Sequence, residues 1–277
     1  MEKLIQYATK ASFYDGPFGG GAGWIAAGMG YLIVTENGRL IAVDGGNTED
    51  AEDFCELIKR YSKDNEVDLW ILTHPHIDHY GALGTAVRSG TFPRVEKLVC
   101  LFGSVDDVGD DPEALDKRAT AVSFLEDILK RTKAEYVKPS EGDVYRVDSA
   151  EVTMIALPAD LSDANPSSLI FSVKGNGKKI LFTGDASDGR LADAVERHAD
   201  KLKSDVLQIP HHGLCDTGHI PFYEAVGADT LLVPICKSGE ESMKSGYYGD
   251  AIEPQLYAEK LANKIHRAYE GTVEITL

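Results

Sequence analysis

Long apolar runs, paired cysteines and basic charge are all scarce in this chain, and each shortage removes a class of function. None of its 277 residues falls in an apolar run near the roughly 20 residues needed to cross a bilayer, so no membrane partner is expected. The opening "MEKLIQYATK" does not read as a signal sequence, and a cytoplasmic location is expected. Cys55, Cys100, Cys215 and Cys236 lack paired metal spacing and are expected as reduced thiols. The glycine-rich "DGPFGGGAGWIAAGMG" (15–30) reads as a flap or wide hairpin. No Lys-Ser or Lys-Thr pair follows it, which excludes a P-loop. Basic residues number 28 against 45 acidic ones, a net charge of −17. That balance repels polyanions at long range and disfavours long nucleic acid as a partner. The acidic run "SVDDVGDDPEALD" (104–116) reads as a solvated loop and helix start. No Pro/Ser linker or low-complexity tract divides the chain, and 43% apolar content can fill a full core. One domain over residues 1–277 is therefore expected; the oligomeric state is not legible.

What the chain does have is a dense histidine cluster. In "LTHPHIDHYGAL" (72–83) three histidines and an aspartate fall within six positions, just after the apolar run from Asp68 to Thr73. That run reads as a buried strand. His74 and His76 leave it at i and i+2, with Pro75 stiffening the turn, and two imidazoles so held can bind one divalent cation. Asp78 and His79 follow at a helix start and point to a second cation; a carboxylate beside an imidazole suits a site that also keeps water. Gly81 lets backbone pass close by. Two more strand ends supply candidates: Gly184-Asp185 in "ILFTGDAS" (180–187) and His211-His212-Gly213 in "DVLQIPHHGL" (205–214). An aspartate such as Asp185 can bridge two cations at the roughly 3.5–4 Å that two-metal hydrolysis uses. The other histidines are weaker candidates. His198 and His266 sit in charged stretches and are expected at the surface, and His219 follows the histidine pair in a loop.

Two stretches of the chain repeat one plan. "YLIVTENGRLIAVDGG" is strand, Asn-Gly turn, strand, then Asp44, followed by a helix at about 50–62 and the strand leading to His74. "SLIFSVKGNGKKILFTGDAS" is strand, Gly-Asn-Gly turn, strand, then Asp185, followed by a helix at about 189–201 and the strand leading to His211. Two such halves, packed sheet to sheet with helices outside, predict an α/β fold: an αββα four-layer sandwich with the chemistry along one edge.

The order His74-x-His76-x-Asp78-His79, then Asp185, then His-His-Gly resembles that of the metallo-β-lactamase-fold hydrolases. Closer still, the chain is similar to the ComEC-like branch, the hydrolase domain of DNA-uptake channels and its free-standing soluble relatives. "LIAVDGG" (40–46), "NPSSLIFSV" (165–173), "LQIPHHG" and "YYGDAIEP" (247–254) carry the closer resemblance together with the histidine motif. Three departures stand out. No histidine occurs between His79 and His198, where lactamases and glyoxalase II place a ligand; the ComEC-like branch also lacks it and has an Asn-Ser segment, here from Asn165 to Ser168. Leu214 and Asp250 stand where that branch usually has serine and often histidine.

Aligning the two halves places His211 opposite His74, whereas the resemblance puts His212 on the metal, with His211 as a neighbouring or substrate contact. The resemblance also borders the metal cleft with the early loop, making Phe18 and Trp24 candidate substrate walls. It implies a hydrolase with two divalent cations, zinc first and manganese or iron as alternatives. A metal-activated water would attack a phosphodiester, with Asp78 orienting it and His211 or Asp250 protonating the leaving group. The expected substrate is a small molecule or short nucleotide. An ester or thioester hydrolase is the alternative, and a non-catalytic binding relative a third.

Overall fold

The computed structural model describes residues 2–16, 28–214, 218–246 and 253–277. Two seven-stranded sheets form its centre. The first runs β14 (Val273–Thr276), β1 (Lys3–Gln6), β2 (Gly30–Val34), β3 (Leu40–Asp44), β4 (Glu66–Ile71), β5 (Arg94–Val99) and β6 (Glu135–Val137). The second runs β13 (Lys264–Arg267), β12 (Thr230–Val233), β11 (Val206–Gln208), β10 (Lys178–Phe182), β9 (Ile170–Gly175), β8 (Ala150–Ala156) and β7 (Val144–Val147). Each half is a hairpin followed by parallel strands. β2 pairs antiparallel with β3, and β3 then pairs parallel with β4; β9, β10 and β11 repeat that pattern.

Alternation along the strands builds the layers. In β3, Ile41 and Val43 point between the sheets, while Leu40 and Ala42 point outward. The middle core is apolar from both sides, with Leu69 and Ile71 of β4 facing Phe171, Ile180 and Phe182 of the second sheet. Outside the first sheet pack α1 (Ala51–Tyr61), α2 (Ile77–Ser89) and α3 (Pro112–Thr132), through residues such as Phe54, Leu83 and Phe124. The spacing of Phe54, Leu57 and Ile58 gives α1 one apolar stripe, and all three are buried. Outside the second sheet lie α4 (Asp188–Leu202), α5 (Ile220–Val226), α6 (Lys237–Lys244) and α7 (Glu253–Leu261), burying Leu191, Phe222, Met243 and Ala258. The result is the αββα sandwich of two similar halves. No described helix is long and apolar enough to cross a membrane.

The strands before the histidines end earlier than their apolar runs. β4 stops at Ile71 although the run continues to Thr73, because the Thr73 amide bonds the Asp44 side chain instead of a neighbouring strand. β11 stops at Gln208 because Pro210 has no amide hydrogen to donate and the Gln208 side chain is turned onto Thr183 and Gly184. Both departures place irregular backbone at the carboxyl ends of parallel strands, on the edge where open α/β sheets position ligands.

Gly81 is the tightest backbone approach near this edge. A Cβ there would lie 2.7 Å from the Thr48 nitrogen and 2.9 Å from the Asn47 carbonyl carbon. Both are main-chain atoms of the turn that starts α1, so neither can swing away. Gly81→Ala is expected to destabilise the fold by about 1–3 kcal/mol, read as a lower urea midpoint with unchanged slope. A midpoint equal to that of the parent would show that α2 shifts freely.

Candidate metal centre

His74 leaves β4 as a fully buried side chain, and His76 caps the amino end of α2, which then presents Asp78 and His79 in its first turn. Asp185 follows β10 through Gly184, whose φ of 52° is the left-handed conformation that glycine adopts without strain. His211 and His212 follow β11 and are themselves left-handed, with φ 45° and 56°, ahead of Gly213 at 74°. Two non-glycine residues held this way are strained. The His211 amide donates to Gly184 O at 3.1 Å and the Leu214 amide to His211 O at 2.8 Å, which holds the turn.

These side chains converge. His74 Nε2, His79 Nε2 and His212 Nε2 lie 3.5, 3.3 and 3.5 Å from Asp185 Oδ2. Asp78 Oδ2 is 3.4 Å from His79 Nε2 and 3.2 Å from His212 Nε2. Two groupings with metal-ligating spacing result: Asp78, His79, Asp185 and His212, and beside it His74, His76 and Asp185. Asp185 belongs to both. The Nε2 atoms of His74, His79 and His212 and Oδ1 of Asp185 are buried without a hydrogen-bond partner. These atoms point at one another across a buried space, and a divalent cation is the species that nitrogen and carboxylate donors in this arrangement accommodate once the imidazoles give up their Nε2 protons.

The other ring nitrogens fix which atoms face inward. His79 Nδ1 is 2.8 Å from Asp44 Oδ2, and His212 Nδ1 donates to Pro234 O at 2.8 Å. His74 Nδ1 lies 3.1 Å from Thr73 Oγ1, which in turn donates to Asp44 Oδ2 at 2.9 Å. Asp44 also accepts from the Thr73 amide at 2.8 Å, and its carbonyl accepts from the Trp70 indole at 2.8 Å. One carboxylate thus orients His79 directly and His74 through a threonine, the outer-shell arrangement that raises ligand basicity. On the opposite side, Ser168 Oγ accepts from the Asp185 amide at 2.9 Å.

Sequence reasoning placed Asp44 at a strand end but gave it no part in the site. The signal was its position, which matches that of Asp185 in the repeated plan. His211 lies at the margin: its Nε2 is 4.0 Å from Asp185 Oδ2 and 3.2 Å from Asn165 Nδ2, with the side chain 17% exposed. Asp250, Phe18, Trp24 and Cys215 lie outside the described residues, while Cys55, Cys100 and Cys236 are free and buried. The acidic run from 104 is exposed for most of its length and leads into α3 at Pro112. His198 and His266, expected at the surface, are partly buried there. His198 is 12% exposed, 3.4 Å from Glu141, because α4 kinks at it, and His266 is half-buried on β13. His219 precedes α5 and joins no metal-competent grouping among the described residues.

Burial holds the His74 and His76 imidazoles below their ordinary range, so both are neutral donors. Burial also acts to lower His79 and His212, but the carboxylates around them win. Asp185 and Asp78 hold His79 well above its usual range and bring His212 up to about 10. A cation entering the cluster must displace those protons. Divalent-metal binding is therefore expected to release protons into weakly buffered solution and to tighten as pH rises from 6 to 9. Affinity independent of pH over that window would contradict the assignment. Asp44→Ala removes the acceptor from His79 and from the Thr73 amide. It is expected to weaken metal affinity about 10–100-fold in chelator competition, and retention of parental affinity would remove Asp44 from the site.

Residues 27–217 match the family model of the Metallo-beta-lactamase superfamily. No curated protein matches the sequence. Among solved structures, the metallo-beta-lactamase fold protein YhfI from Bacillus subtilis is 13% identical, with TM-score 0.54 over 99% of both chains. Zn(2+)-bound PqqB from Methylobacterium extorquens is 11% identical, with TM-score 0.56 over 100% of both chains. A diphosphatase from the PhnP family is 12% identical, with TM-score 0.51, covering 100% of this chain and 98% of its own. These likenesses share the fold, and the family match spans most of the chain, including every donor of the buried cluster. The chain belongs to the metallo-beta-lactamase superfamily.

Proposed function

We propose that this protein is a metal-dependent phosphodiesterase of the ComEC-like branch, acting on a small or nucleotide-like substrate with two divalent cations, zinc first. The observation that carries the two-cation reading is Asp185, shared by two adjoining buried groupings of donors. Bound divalent cations supply Lewis acidity and bring the pKa of a coordinated water toward neutrality.

The chain's own groups do the rest. Asp185, between His74 and His76 on one side and His79 and His212 on the other, holds both sets of donors at one spacing. Asp78 sits between His79 and His212, placed to orient the attacking oxygen. His211 is outside the tight cluster but close to Asp185, and it is the proton donor to the leaving group, with Asp250 the alternative. Asn165 Nδ2 donates to His211 Nε2 from the segment 165–168, so the proton His211 gives is the one on Nδ1, and Ser168 of the same segment steadies the Asp185 amide. Those two contacts support the ComEC-like branch, because the segment that distinguishes it sits against the cluster. The diphosphatase of the PhnP family that shares this fold supports phosphoryl chemistry on it. The net charge of −17 favours a small substrate over long DNA, whose condensed counterions a basic groove would release.

The test is metal analysis of the purified protein, then turnover of bis-aryl phosphate, a dinucleotide, single-stranded DNA and a matched aryl ester with zinc or manganese added. Bound divalent metal and chelator-sensitive cleavage of the small phosphodiesters are expected. Ester turnover without phosphodiester turnover would replace the reading with an ester hydrolase. A strong preference for DNA that falls steeply with salt would overturn the small-substrate assignment.

A further inference from the structure

Next to the cluster lies a cavity of about 340 Å³ that has Pro75 and His76 in its wall. The rest of the wall comes from Val108 and Asp111, from the first turns of α3, with Lys117 and Arg118, and from residues 162–164. Arg118 is only 4% exposed. Its Nη2 donates to Leu161 O at 2.6 Å and its Nη1 to Ser104 O at 3.4 Å. Both acceptors are neutral carbonyls, and among the described residues no carboxylate forms an ion pair with it. A guanidinium carries five N–H donors, so this one lines the cavity with hydrogen-bonding capacity to spare.

Asp107 and Asp163 are near enough to act on that charge, yet neither forms an ion pair with it. Asp111 accepts from the Ala114 amide at 2.8 Å, and Glu113 is paired with Lys117 at 2.7 Å. They and Asp163 are exposed, where solvent and salt screen them, whereas the Arg118 charge acts from a medium of low dielectric. A desolvated guanidinium fork matches the oxygens of a phosphate group.

We infer that this cavity is a subsite for a second phosphate group of the substrate, bound by Arg118 with Lys117 at its rim, while the scissile group lies at the cluster beyond His76. The inference rests on the phosphodiester reading and narrows it to small phosphodiesters that bear a terminal phosphate.

The test uses the full-length, metal-loaded protein with Arg118→Met and Lys117→Met, and a dinucleotide with and without a 5′-phosphate. The parent is expected to favour the phosphorylated dinucleotide in kcat/KM by about tenfold or more, the scale of one charge-assisted hydrogen-bond set. Arg118→Met should erase that preference at unchanged metal content and Tm, and Lys117→Met should reduce it about two- to threefold, as an exposed charge would. A second arm measures phenyl phosphate binding to all three proteins by calorimetry. If neither dinucleotide turns over but phenyl phosphate binding still depends on Arg118, the phosphodiester reading fails and the subsite stands. Equal phenyl phosphate binding by parent and variants, or no preference in the parent, overturns the subsite. If Arg118→Met loses metal or melts early, Lys117→Met decides, and an unchanged preference there overturns it as well.

Discussion

The buried carboxylate of Asp44 is the constraint on which the site depends. It bonds the Thr73 amide and hydroxyl and sits 2.8 Å from His79 Nδ1, joining the end of β3 to the first residues beyond β4. Without it, the chain after Ile71 would have an unpaired buried amide, and neither His74 nor His79 would have a fixed ring orientation. Its own φ is 52°, a left-handed conformation that aspartate tolerates better than most side chains. The carboxylate therefore spends local backbone strain on a bond pattern that serves two imidazoles at once.

The second half meets the same requirement by another route. There Gln208, at the end of the neighbouring strand β11, holds the chain beyond β10: its Oε1 accepts from the Thr183 and Gly184 amides at 2.8 and 2.9 Å and its Nε2 donates to Gly184 O at 3.1 Å. A neutral amide suffices because its partners are backbone groups and the Thr183 hydroxyl, with no histidine among them. In the first half the group must also face a histidine nitrogen, and a charged acceptor makes the stronger bond. The two halves share a plan but divide the chemistry unequally: one brings four donors of the cluster, the other Asp185 and His212.

Much of this is legible in the sequence alone. The histidine motif, Asp185 and the histidine pair are each tied to a strand end by local sequence, and the repeated hairpin–helix–strand plan brings those ends to one edge. Asp44 was not recognised because a strand-end aspartate beside two glycines reads equally well as turn chemistry; only its distance from His79 separates the two. Arg118 was invisible for a different reason. It lies in a charged helix 42 residues beyond His76, and the loop whose carbonyl it holds lies 43 residues further still. No periodicity links three such segments. His198 misled because its charged neighbours suggest solvent, whereas the kink in α4 turns it toward Glu141.

The left-handed run through His211, His212 and Gly213 bears on how this centre can change its metal. A cluster rich in imidazole moves toward harder cations by exchanging nitrogen donors for oxygen donors. At position 212 that exchange must also suit a φ of 56°, which excludes β-branched residues and costs most others roughly 1–2 kcal/mol. Aspartate and asparagine are the oxygen donors that bear this conformation best, and both have shorter reach than histidine. At His74 and His79 no positive φ applies, so the same exchange is governed by the Asp44 hydrogen bonds rather than by the backbone. Drift in metal preference is thus channelled: one half of the centre can vary its donors through chemistry, while at position 212 the shape of the turn narrows the oxygen donors to the short side chains of aspartate and asparagine.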